Sequence, residues 1–267
     1  MGIRNGFVCV ALLATCLFAG DVSAEDLVVV YHHTGQSESM DNKAFTDFGS
    51  PTATHPSNGM TFNLFYEDVR LSTGTGFDHA TNGAAARARM NDVLDEVSAT
   101  LNESGSTLDI LFNQSETDGT GFLAQAGSSY FTINGFTDPI SLTRVKTGSK
   151  PSATTPEMSI KVDFGYNYNL TAAATSGGQV DFLTVLLHEV THGLGFGSLT
   201  NSNGTSQFSG SPHFSDTYTE FDSLTVRGQG GTNLWNSSGT FLGSVGDMTS
   251  NDLFCEGTNA TTLYAQS

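Results

Sequence analysis

The most explicit chemistry in this chain lies in His188, Glu189 and His192, the pattern H-E-x-x-H. On an α-helix, residues four apart are separated by about 40° around the axis and about 6 Å along it. His188 and His192 would therefore project the same way, one turn apart, and could hold one metal ion. Imidazole nitrogens suit Zn²⁺, and a carboxylate beside them is placed to take a proton from water. His188 and His192 are thus candidate metal ligands, and Glu189 is the candidate catalytic base.

That chemistry requires a helix, and the flanking residues predict one over 181–194. Leu183, Leu186, Leu187, Val190 and Leu194 recur at spacings of three and four. They form an apolar stripe roughly opposite the histidines. Gly193 and Gly195 suit a helix end with a sharp change of direction. Asp181 reads as a solvated acid at the helix start, with support of the metal ligands as the alternative.

Other elements must carry this helix. Met90, Val93, Leu94, Val97 and Leu101 predict a second helix over 84–102. Strands are expected at 27–31, 60–66, 107–113, 140–145 and 159–168. The last of these is expected to lie along a cleft and offer its edge to an extended peptide. Helix, short turn and strand in succession suit a helix packed on one face of a sheet, hence an α+β fold. His32 and His33 are adjacent and would point to opposite faces of a strand, which makes them poor joint ligands. His55, before Pro56, reads as a loop residue, and His79 as structural or exposed. Beyond residue 198 the chain is rich in Gly, Ser, Thr and Asn. A helix start is expected in 247–254 with Thr249 as its cap. Residues 25–267 read as a single domain, with an N-terminal lobe over about 25–196 and a C-terminal lobe over about 197–267.

Residues 1–24 have the pattern of a secretory signal peptide: Arg4, an apolar run over 7–19, and Val22-Ser23-Ala24 before the cleavage point. The expectation is a secreted protein, extracellular or periplasmic, with no membrane span in the mature chain. Net charge is −17, which argues against nucleic acid or an anionic membrane as partner. Cys255 alone would remain after cleavage, so no internal disulfide is expected. Oligomeric state cannot be read from the sequence.

His188 to Phe196, HEVTHGLGF, resembles the zincin metallopeptidases, and among them the metzincins and the leishmanolysin-like exported bacterial metalloproteases. Phe221-Asp222 and Asp247 to Leu253 are similar to later patches of the bacterial group, as are Gly74 to Asp78 and the 84–102 helix upstream. The resemblance implies a zincin-like catalytic domain: a twisted mixed sheet, a backing helix, the active-site helix and an irregular C-terminal lobe. It further implies an exported zinc endopeptidase acting on a protein or peptide substrate, with Zn²⁺ as cofactor and Glu189 as general base. The metzincin motif places its third histidine where this chain has Ser198. Three completions stay open: His213 from a downstream loop, Glu220 in a His₂Glu set, or a ligand beyond a chain that is cut short. Met248 is read as core packing, with a turn methionine as the alternative. The competing function is a catalytically incomplete zincin-like surface or binding protein.

Overall fold

The computed structural model describes residues 27–31, 37–38, 49–131, 135–150, 156–207, 217–228, 231–250 and 252–256. The expected signal peptide, His32, His33 and His213 lie outside them. In chain order the elements are β1 (Leu27–Tyr31), β2 (Ser37–Glu38), β3 (Ala53–Ser57), β4 (Met60–Tyr66), α1 (Glu67–Leu71), α2 (Gly83–Leu101), β5 (Thr107–Phe112), β6 (Ala124–Phe131) and β7 (Gly135–Thr137). There follow α3 (Ile140–Thr147), β8 (Met158–Val162), β9 (Tyr168–Asn169), β10 (Val180–Asp181) and α4 (Phe182–Gly193). The chain continues with β11 (Thr217–Thr219), α5 (Glu220–Ser223), β12 (Thr225–Arg227), β13 (Thr232–Asn233), α6 (Val245–Met248) and β14 (Leu253–Cys255). None of the described helices is long and apolar enough to cross a membrane.

This is an α+β arrangement around a mixed seven-stranded sheet of order β2-β1-β6-β8-β5-β4-β3. β4, β5 and β8 are parallel, while β6 runs antiparallel to β8 and β1. Met60, Phe62, Leu64, Leu108, Ile110, Phe112, Ile160 and Val162 fall at alternate positions along the parallel strands, so they share one face of the sheet and line the main core. α2 and α4 pack on this sheet and on each other, adding Met90, Val93, Leu94, Leu186 and Val190 to one core. Tyr218, Leu234 and Trp235 form a separate small cluster, against which Met248 packs. Met248, partly buried, therefore packs against the C-terminal cluster, in line with its reading as a packing residue.

Four sequence expectations are corrected. Residues 140–147 are helical rather than extended. Pro139 (φ −64°) leads into the helix and Gly148 (φ +69°) ends it. The strand expected over 159–168 stops at Val162, because the Asp163 carboxylate accepts the Gly165 N–H at 2.8 Å and turns the chain. It also lies inside the sheet, between β6 and β5, and so offers no free edge. His55 is on β3, not a loop, with Nε2 2.9 Å from Asp95. The expected cap Thr249 ends α6 rather than starting it, since Ser244 and Asp247 form the capping box one turn earlier.

At the start of β8 lies a fully buried acid, Glu157. Its Oε2 accepts the Asp109 N–H at 2.6 Å, while Lys150 Nζ stays 3.8 Å from Oε1. Burial outweighs the lysine and raises the Glu157 pKa from 4.5 to about 7. The folded chain thus keeps this proton to a higher pH than the unfolded chain. The resulting stability is complete below pH 4.5 and is lost as pH rises through about 7. Glu157→Gln should therefore raise the thermal midpoint relative to wild type at pH 8 more than at pH 4.5. An equal shift at both values would contradict this assignment.

Candidate metal centre

α4 begins at Phe182 because Asp181 caps it, its carboxylate accepting the Thr184 N–H at 3.2 Å. Asp181 is thus committed to the helix start. The buried face is Phe182, Leu186, Glu189, Val190 and Gly193, while Leu183 and Leu187 are only partly buried. The apolar stripe is rotated slightly from the sequence reading, and it includes Phe182, which the leucine spacing did not mark.

The last carbonyls of α4 lack partners within the helix. Side chains from two other elements supply them. The Ser128 hydroxyl on β6 lies 2.8 and 3.0 Å from the His192 and Gly193 carbonyls, its one hydrogen serving either, and Ser141 on α3 donates to Gly193 at 2.5 Å. Gly193 is glycine because a Cβ there would meet the Met158 sulfur at 2.7 Å. Gly195 is constrained twice, by φ +96° and by Pro139 at 2.7 Å from any Cβ. Gly195→Ala should cost on the order of 3 kcal/mol in urea unfolding. A loss below about 0.5 kcal/mol would mean that this turn is not held as described.

His188 and His192 come together as the spacing predicts. Their Nε2 atoms are 2.9 Å apart, with ring planes at 88°. The Nδ1 of His192 lies 2.5 Å from the Phe196 carbonyl. A carbonyl can only accept, so this nitrogen carries the hydrogen, and the Nε2 of neutral His192 presents its lone pair. Two nitrogens each about 2.1 Å from one tetrahedral zinc ion sit roughly 3.4 Å apart, so a small opening of the pair admits a metal.

Glu189 points away from the histidine face and is buried between α4 and the sheet. The N–H of Ala126 on β6 bonds it, yet its Oε2 has no hydrogen-bond partner. Burial pushes its pKa up to about 7, and the Ala126 bond only partly offsets this. A buried acid with an open oxygen and a pKa near neutrality is suited to taking and returning a proton. The donor set is compatible with zinc: two imidazole Nε2 atoms meet at one point, that of His192 presenting its lone pair, and the same helix carries a buried carboxylate with one unsatisfied oxygen.

Among the described residues, no third His, Cys, Asp or Glu brings a ligand atom within 4.8 Å of both histidines. Glu220 instead faces Asp138 and Lys146 and accepts from the Ser223 hydroxyl at 3.3 Å. Ser198, at the position of the metzincin third ligand, donates to Asp222 at 2.5 Å. His213 lies outside the described residues. His79 Nδ1 accepts the N–H groups of Thr81 and Asn82 at 3.2 Å, a structural role. A separate acid cluster, Glu116, Asp118 and Asp163, escaped sequence reading because no short motif links its members. Lys161 pairs with Glu116, and Asp163 accepts the Gly165 and Thr120 N–H groups, so the chain itself engages these two.

The strand beside Glu189 is β6, which lies inside the sheet between β1 and β8. Its outer edge is paired by β1 from Leu27↔Phe131 to Tyr31↔Gly127, one residue short of Ala126.

Compared with protein-family models, curated proteins and solved structures, the chain matches none.

Proposed function

We propose that the protein is an exported zinc endopeptidase with a zincin-like catalytic domain. The observation that carries this reading is the His188–His192 pair, Nε2 to Nε2 at 2.9 Å, on a helix that also carries the buried and half-satisfied Glu189. His188 and His192 are the residues that hold the metal. When bound, Zn²⁺ supplies Lewis acidity toward the scissile carbonyl and toward water. The chain's own contribution is proton handling. Glu189, low in solvation and one residue from a ligand, takes a proton from the attacking water and returns it to the leaving amine. The Phe196 carbonyl fixes the His192 tautomer, so that Nε2 presents its lone pair.

The test is hydrolysis of an unfolded protein substrate by the purified full chain. It should stop on addition of a zinc chelator and return with Zn²⁺. Cleavage that persists in excess chelator would rule out this chemistry.

A second reading is a zincin-like binding protein without turnover. The lack of a third ligand near both histidines, among the described residues, favours it. It is distinguished by zinc binding without hydrolysis of any peptide pool.

A further inference from the structure

The segment that leaves α4 is held from the far side by one buried acid. Asp222, on α5, is 1% exposed. Its Oδ1 accepts the Ser198 hydroxyl at 2.5 Å, and its Oδ2 accepts the Leu199 and Thr219 N–H groups at 3.1 and 2.8 Å. Thr219 Oγ1 lies 2.9 Å from both Asp222 Oδ2 and the Gly197 carbonyl, and its one hydrogen serves either. Residues 197, 198 and 199 are therefore tied to the Thr219–Asp222 corner. That corner is itself seated by parallel pairing of β11 with β7. Phe196, immediately before these residues, provides the carbonyl that receives the His192 Nδ1 hydrogen.

We infer that Asp222 is a positioning residue for the metal centre: by clamping Ser198 and Leu199 it fixes the Phe196 carbonyl, and through it the tautomer and orientation of His192. Four hydrogen-bonding groups converging on one buried carboxylate leave the loop little freedom, and an imidazole ligand is only as well aimed as the acceptor behind it. Ser198, where a third ligand is expected, works in this clamp instead. The inference rests on the metal reading above, but part of its test does not.

The test uses the metal-free full chain as wild type, Asp222→Asn and Ser198→Ala. Zn²⁺ affinity is read by competition with a chelator, and the His192 tautomer by imidazole ¹⁵N shifts without metal. Removing a partner behind a metal ligand costs about tenfold or more in affinity, so about tenfold is expected for Asp222→Asn and about threefold for Ser198→Ala. Both variants should show a mixed His192 tautomer where wild type shows Nδ1–H. If Asp222→Asn does not fold, Ser198→Ala decides. Folded variants with wild-type affinity and an unchanged tautomer would overturn the inference. A wild type that takes up no Zn²⁺ would refute the metal reading alone, and the tautomer would still decide the clamp.

Discussion

Glu189→Gln should reduce kcat/KM for peptide hydrolysis by between about 100-fold and 10,000-fold while the chain still holds zinc. Gln keeps the shape and can still accept the Ala126 N–H, but it cannot take a proton. Burial of Glu189 and its unpartnered Oε2 make it the one group on α4 equipped for that step. The substitution leaves both imidazoles in place. Metal content measured beside activity then separates loss of the base from loss of the site. A variant that retained full activity would remove Glu189 from the mechanism. One that lost zinc as well as activity would make it a ligand or a structural prop.

Phe182→Ala should destabilise the chain by about 3–5 kcal/mol, the usual cost of removing a large aromatic from a packed core. Phe182 is fully buried at the first turn of α4. Its ring lies 4.9 Å from Tyr168, 5.6 Å from Phe164 and 6.4 Å from Phe77. Phe164 and Tyr168 come from the stretch after β8 and Phe77 from the turn before α2, so the helix that carries the histidines is anchored at its start by two distant segments. Urea unfolding of the variant beside Leu183→Ala, at a partly buried position, tests this directly. A loss below about 1 kcal/mol for Phe182→Ala would mean that α4 is held elsewhere.

The paired histidines were legible because a four-residue spacing on a helix admits one geometry, and the structure places their nitrogens together. α2 was legible from its apolar repeat, and β4 and β5 from their apolar content. The rest depended on contacts between distant residues. Residues 140–143 alternate like a strand before the pattern breaks at Arg144, and the flanking Pro139 and Gly148 mark the helix. The role of β6 beside Glu189 was hidden because its sequence, AQAGSSYF, is small and polar. Those small residues have uses that become visible only in three dimensions. Ser128 caps the end of α4, and the Ala126 backbone bonds Glu189. Asp222 appeared in the sequence only as part of a Phe-Asp pair. Its partners Ser198 and Leu199 are more than twenty residues away, beyond the reach of any local motif.

The central claim is that His188 and His192 jointly hold a catalytic metal, and zinc content tests it most directly. The purified full chain, dialysed against trace Zn²⁺, should retain one zinc ion per chain by elemental analysis. His188→Ala and His192→Ala should each retain almost none while keeping a wild-type far-UV spectrum. A wild type without zinc, or a His192→Ala chain holding as much zinc as wild type, would contradict the account.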